Sequence, residues 1–395
     1  MPHHPYLIVG GGMTADAAVR GIRELDPDGE IGILSAEAHP PYNRPPLSKG
    51  LWKGQPLEKI WRNTEQRGVR LYLGRVAREL DLSTKHVTDD RGEAHTFDRL
   101  LLATGGSPRR LPSGDGVVYF RTLDDYLYLR RLTVRRRRFA VIGGGFIGSE
   151  IAAALATNGA EVTMVFPEEG IGRRLFPSGL ARFLNEYYRE RGIEVVSGEG
   201  AADIERSTRG FVVRTDAGRS LAADAVIAGI GIRPNTDLAS GAGIDAEDGI
   251  LVDVHLRAGH PDVFAAGDVA RFIQPDLGTR MRVEHEDNAN TQGTTAGRNM
   301  AGAGEPYVHL PFFYSDLFDV GYEAVGEVDA RLQTVEDWKE PYREGVVYYL
   351  RDGRVRGVLL WNVWGQVDAA RALIADPGPF GAADLTGRLP SFTSP

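Results

Sequence analysis

Two glycine-rich turns, each following an apolar strand, constrain this chain more than any other feature. The first reads YLIVGGGMTADAAV, with Gly10, Gly12 and Ala15 at G-x-G-x-x-A spacing. The second reads FAVIGGGFIGSEIAAAL, with Gly143, Gly145 and Gly148 at G-x-G-x-x-G spacing. In such a turn the first glycine makes the tight bend and the second lets backbone approach a pyrophosphate. The third, or a small alanine, lets helix and strand pack closely. Unpaired N–H groups at the helix start then face the phosphates. Two turns in strand–turn–helix context predict two dinucleotide sites. Holding two dinucleotides points to passing electrons between them.

The bulk numbers narrow the class. A chain of 395 residues is too long for one core and suits two or three domains. Its 42% apolar and 25% charged content is that of an ordinary globular protein. No apolar run is long enough for a transmembrane helix. The opening MPHHPYLIVGGG enters the first strand at once, so the chain is expected to carry no signal peptide and to work in the cytoplasm. A net charge of −8 argues against nucleic acid or an anionic membrane as the main partner. There is no cysteine. That excludes disulfides, thiolate metal sites, protein-bound iron–sulfur clusters and any redox-active cysteine beside a cofactor.

A pass along the chain gives the organisation. Strands are expected at 6–10, at 30–37 and from 97 to Ala103, Thr104 and Gly105, with a helix over 13–25. Glu37 ends the second strand, where an acid accepts hydrogen bonds from a ribose. PPYNRPPLSKGLW is too proline-rich for regular structure. The run RRLTVRRRRF within 113–138 reads as a connection and a solvated basic edge at the N-terminal end of the next strand. Ligands in such sheets bind at the carboxyl ends. The second unit has strands at 139–143, 161–166 and 193–197 and helices at 147–158 and 178–191. HPDVFAAGDVA returns as an apolar strand ending in Gly267 and Asp268. A helix is expected over 284–301, with acids in its first turn. From 309 the segments YEAVGEVD, GVVYYLRDG and VRGVLLWNVW read as antiparallel strands, with a short connection near 335–341. VDAARALI follows as a helix, and the tail after Pro377 reads as mobile.

Taken together, GGGMTADAA, PYNRPPLSKGLW, LLATGGSPR, VIGGGFIGSE, FPEEG, VFAAGDVA and VEHEDNA resemble the FAD-dependent NAD(P)H oxidoreductases with two dinucleotide-binding domains. Specifically, the chain is similar to the cysteine-free branch that holds bacterial ferredoxin reductases and apoptosis-inducing factor. The resemblance implies an α/β protein with two Rossmann-like, glutathione-reductase-like domains plus a C-terminal α+β domain. The FAD-binding domain would be 1–113 with 236–308, the NAD(H)-binding domain 114–235, and the C-terminal domain 309–395.

The same resemblance implies the site. FAD would be held by Gly10, Gly12, Ala15, Glu37, Arg44, Lys49, Ala77, Thr104, Gly105, Arg109, Gly267, Asp268, Glu284, His285 and Tyr314. NAD would be held by Gly143, Gly145, Phe146, Ile147, Gly148, Glu150, Glu168, Gly231 and Glu323. Lys49 and Glu150 would form the catalytic pair close to flavin N5. Glu168 lies about 20 residues past its loop, where an acid holds a 2′-hydroxyl and repels a 2′-phosphate. NADH is therefore favoured. NADPH is the lesser reading, kept open by Arg173 and Arg174. Phe166 stands where ferredoxin reductases usually place that acid, and Tyr314 where apoptosis-inducing factor has a tryptophan. No metal site is expected, since Glu284, His285, Glu286 and Asp287 are consecutive and fan around a helix.

The implied activity is hydride transfer from NADH to FAD, then single-electron transfer to a [2Fe–2S] ferredoxin or similar carrier. That carrier would serve a cytochrome P450 or an oxygenase, and the reductase would be a monomer or homodimer. The alternatives are an NADH-sensing flavoprotein similar to apoptosis-inducing factor, and an NADH oxidase.

Overall fold

The computed structural model describes residues 1–389. It divides into two compact units, each assembled from three separate stretches of chain.

The first unit comprises Met1–Arg44, Pro56–Ser107 and Arg233–Pro311. Its sheet runs Arg257–His260, Val263–Ala265, Ala94–Leu102, His3–Val9, Ile31–Ser35, Val69–Leu73. The last five of these pair in parallel. Leu7, Ile8, Ile33, Leu100, Leu101 and Leu102 are at most 0% exposed, as strands covered on both faces must be. The helix Met13–Leu25 lies against Glu286–Met300 with almost no side chain between them. A Cβ on Gly297 would stand 2.1 Å from the Ala18 carbonyl oxygen, and one on Gly293 would stand 2.5 Å from that of Thr14. Buried Asp16 ties this pair to the rest of the unit. It accepts Arg62 Nε at 2.7 Å and Thr64 Oγ1 at 2.6 Å. The same Arg62 guanidinium also donates to Asn43 and Asn290.

One edge of this sheet is sensitive to acid. His4 is 2% exposed, with its Nε2 3.1 Å from the Tyr72 hydroxyl. Its ring stacks on buried His95, centroids 6.2 Å apart. Burial first, then the charges of His95 and Arg70, hold the His4 imidazole below its ordinary value of 6.5. The unfolded chain therefore binds the extra proton. Stability from His4 is intact above about pH 6.5 and is lost as pH falls through the lower folded value. The urea midpoint should drop more between pH 7.5 and 5.5 in the native protein than in His4→Gln. Equal drops would remove His4 from this account.

The second unit comprises Pro45–Gln55, Pro108–Ile232 and Phe312–Pro395. A parallel sheet runs Glu194–Ser197, Glu161–Phe166, Arg138–Ile142, Ala225–Ala228, Val118–Tyr119. A separate antiparallel sheet runs Phe312–Leu317, Val320–Gly326, Arg354–Trp361, Glu344–Arg351, Gln333–Glu340.

Three sequence expectations fail here. The stretch 335–341 is not a short connection but belongs to the edge strand Gln333–Glu340. Its half-exposed, charge-rich sequence hides the strand period, as edge strands often do. The connection 113–138 holds the helix Leu123–Arg135, started by a capping box between Thr122 and Asp125. The arginines at its end masked that start signal. The tail is packed at least as far as it is described. Leu385 and Leu389 are buried, and the Leu389 N–H donates to the Tyr348 hydroxyl at 3.2 Å. Two leucines four residues apart gain more from burial than the prolines and glycines around them cost. The final six residues lie outside the described part.

Candidate functional site

Both glycine turns have the same construction. Gly10 and Gly143 stand at φ +119° and +112°. A Cβ on Gly10 would fall 2.0 Å from the Ala103 carbonyl oxygen, and one on Gly143 2.4 Å from that of Gly229. Only glycine fits either position. Gly12 and Gly145 are the N-caps of their helices, both extended and without a side-chain cap. A Cβ on either would meet nothing within 4 Å. Each helix start thus has open space beside its second glycine, which is what a pyrophosphate needs to approach the backbone. Ala15 is fully buried. A Cβ on Gly148 would lie 2.0 Å from the Gly143 carbonyl oxygen, so strand and helix touch backbone to backbone there.

In the first unit, Glu37 and Arg44 meet each other. Arg44 donates to Glu37 Oε1, and the Tyr42 hydroxyl donates to Oε2 at 2.6 Å. Thr104 donates through Oγ1 to the Asn235 carbonyl at 2.7 Å, and the Asn235 N–H donates to the Gly105 carbonyl at 2.9 Å. Asn235 is a tie that sequence reasoning missed. Gly267 and Asp268 form a 3₁₀ turn, with the Gly267 N–H donating to buried Gln292 at 2.7 Å. Ala77 opens the short strand Ala77–Asp81. The predicted helix at 284–301 is Glu286–Met300, so His285 is its N-cap and Glu284 precedes it. Glu284 accepts from Arg282 at 2.6 Å, while Asp287 lies 2.6 Å from His309 Nε2. The acids around this helix start are thus engaged separately.

In the second unit, the Arg109 N–H donates to the Gly231 carbonyl at 2.9 Å. Glu168, expected to receive a ribose hydroxyl, accepts Arg174 Nε at 2.8 Å, and Arg173 turns to Glu169 at 2.6 Å. Phe166 is fully buried beneath the loop and offers no polar group. Phe146 packs edge-on against Phe313, and Ile147 is partly exposed. Tyr314 and Glu323 stand opposite each other in register. Burial pushes the Glu323 carboxyl above its ordinary range, and its Oε2 is buried without a hydrogen-bond partner among the described residues.

The expected pair forms. Lys49 Nζ lies 2.5 Å from Glu150 Oε1, with side chains 14% and 5% exposed. Glu150 sits on the first turns of the second nucleotide helix. Lys49 follows the 3₁₀ turn Pro45–Leu47, and its Nζ lies 5.4 Å from the centre of the Tyr314 ring. Two further residues, which the sequence reading missed, hold the same carboxylate. Ser48 Oγ donates to Oε2 and Ser315 Oγ to Oε1, each at 2.5 Å. Ser48 adjoins Lys49 and was within reach of a sequence argument. Ser315 lies 165 residues from its partner, and no local pattern signals it.

Comparison with known proteins places this geometry. The profile of the apoptosis-inducing factor C-terminal domain matches residues 296–341 and 336–376. The chain is 30% identical to a putative mitochondrial apoptosis-inducing factor 1 of Drosophila melanogaster, over 94% of this chain and 63% of that protein. It thus spans less than two thirds of that relative. It is 34% identical to the ferredoxin–NAD(+) reductase component of an anthranilate 1,2-dioxygenase system of Burkholderia cepacia, over 99% of this chain and 100% of that one. Among solved structures it resembles the covalent putidaredoxin reductase–putidaredoxin complex, with a TM-score of 0.88 and 29% identity over 96% of this chain and 94% of that one. The pyridine nucleotide-disulphide oxidoreductase profile matches residues 4–293, and the chain belongs to that family of FAD-dependent oxidoreductases.

Proposed function

We propose that this chain is an NADH-dependent ferredoxin reductase. The observation that carries the reading is the buried Lys49–Glu150 pair, on the helix that starts at the second uncapped glycine turn, in a chain without cysteine. With no dithiol to receive them, electrons must leave for an external acceptor. The Burkholderia relative belongs to an oxygenase system as its ferredoxin–NAD(+) reductase component, which supports a [2Fe–2S] ferredoxin in that role. FAD, when bound, accepts two electrons from NADH and releases them one at a time.

The chain's own residues bind and orient. The N–H groups after Gly12 hold the FAD pyrophosphate, and those after Gly145 hold that of NADH. Asp268, Thr104, Gly105, Ala77, Arg109, Glu284 and His285 complete the FAD site. Tyr314 would belong to the FAD site, and Gly231 and Glu323 to the NAD site. Glu168 serves the adenosine ribose, while its Arg174 partner gives a 2′-phosphate a cation and keeps NADPH as the weaker substrate. Lys49 and Glu150, fixed against each other, would orient the nicotinamide for hydride transfer. We read the parallel sheet of the second unit as the NAD domain, 114–235, and the antiparallel sheet as a C-terminal domain from 309. No helix of the described residues is long and apolar enough to cross a membrane. We take the enzyme to work in the cytoplasm as a monomer or homodimer.

The test is reoxidation. Protein reduced by NADH should be reoxidised quickly by oxidised [2Fe–2S] ferredoxin under argon and slowly by air. Rapid reaction with air alone would make it an NADH oxidase. The C-terminal match to apoptosis-inducing factor supports a second reading, an NADH-sensing flavoprotein. A long-wavelength absorbance band that outlasts both acceptors would select it.

A further inference from the structure

Glu150 is held by more of the chain than a two-residue ion pair requires. Its three donors come from two stretches, both far from it in sequence. Ser48 and Lys49 come from Pro45–Gln55, and Ser315 comes from the strand Phe312–Leu317. An ionised carboxylate only accepts hydrogen bonds, so these donors fix both of its oxygens. Ser315 is 1% exposed and stands opposite Tyr322 in the antiparallel sheet. Side chains alternate along a strand, so Ser315 points away from the face of Tyr314 and Asp316. A buried hydroxyl needs a partner, and Ser315 Oγ gives its proton to Glu150 while the Tyr322 hydroxyl also bonds to it.

Two phenols also face this carboxylate. Burial first, and the Glu150 charge second, push the Tyr188 and Tyr322 hydroxyls well above their ordinary value. Both therefore stay neutral. A small cleft of about 40 Å³ adjoins the carboxylate, lined among others by Ser48, Lys49, Trp52, Asp316 and Phe318. It is the open side of Glu150, and the hydroxyls hold the carboxylate in place beside it.

We propose that Ser315, with Ser48, is a positioning residue for Glu150 and through it for the Lys49 ammonium, so that the C-terminal sheet sets the geometry of the hydride-transfer site. This rests on the reductase reading, and it gives the antiparallel sheet a part in the reaction with NADH itself.

The test mixes FAD-loaded Ser315→Ala with NADH anaerobically, with no electron carrier present. Flavin reduction at saturating NADH should slow about tenfold, while the dissociation constant of NADH stays within about twofold. Ser48→Ala should behave alike, since each change removes one oxygen. A crystal structure of Ser315→Ala should show the Glu150 carboxylate turned toward the cleft and Lys49 displaced. A merely structural serine would lower the melting temperature without moving the saturated rate or the carboxylate. Wild-type reduction rates in both variants, or an unmoved carboxylate, would overturn the proposal. Because no ferredoxin is present in this test, slow reoxidation by ferredoxin in the separate assay would count against the reductase reading alone. If NADH failed to reduce the native protein, that reading would fall and the crystal structure would still decide the positioning.

Discussion

Glu150→Ala is expected to slow flavin reduction by NADH at least about a hundredfold. The same change should cost the protein about 3 kcal/mol of stability, the usual result of removing one partner of a buried ion pair. The reason is what remains. The Lys49 ammonium, 14% exposed, loses its carboxylate, and the Ser48 and Ser315 hydroxyls lose their acceptor together. Glu150→Gln keeps the volume and one acceptor oxygen, so it should lie between the native protein and the alanine variant in both measurements. Stopped-flow absorbance under argon reads the rate, and urea unfolding reads the stability. A native rate in the alanine variant would end the catalytic assignment of the pair.

The second large effect is expected from Gly148→Val. The first added carbon would lie 2.0 Å from the Gly143 carbonyl oxygen, which is backbone and cannot rotate away. The helix start must move off its strand, and the N–H groups that we propose for the NADH pyrophosphate move with it. We expect NADH affinity to fall about a hundredfold, or about 2.7 kcal/mol. The variant should still purify yellow and still be reduced by dithionite, because the FAD loop is a different turn. An NADH titration followed by flavin absorbance checks this. Unchanged affinity would show that the second glycine turn does not carry the cofactor.

Much of this was legible in the sequence because the informative features are local. A glycine turn declares itself within six residues, and both turns have the predicted geometry. The helix Met13–Leu25 and the strand Glu161–Phe166 lie where their apolar periods place them. The pairing of Lys49 with Glu150 came from family resemblance, since nothing in either segment names the other. What stayed hidden is of two kinds. Some contacts join residues with no sequence relation, such as Ser315 with Glu150, or Arg62 with Asp16, Asn43 and Asn290. Others depend on which face of an element is covered. The strand Gln333–Glu340 is half exposed and polar, so only its pairing with Glu344–Arg351 identifies it. Glu168 was legible as an acid in the right place, but not its pairing with Arg174, six residues on.

The interleaving of the two units bears on how the protein is made. Each is stitched from three stretches, and the eleven-residue piece bearing Lys49 is translated between two pieces of the other unit. Lys49 must wait 101 residues for Glu150, and Glu150 a further 165 for Ser315. On the ribosome the first unit cannot close until Pro311 has emerged, and the second not until its last stretch, from Phe312, has followed. A nascent or truncated product therefore carries complete glycine turns but no finished reaction centre. Contacts this distant also favour slow maturation. A half-built copy has no Ser315 to hold Glu150 until the strand Phe312–Leu317 is made.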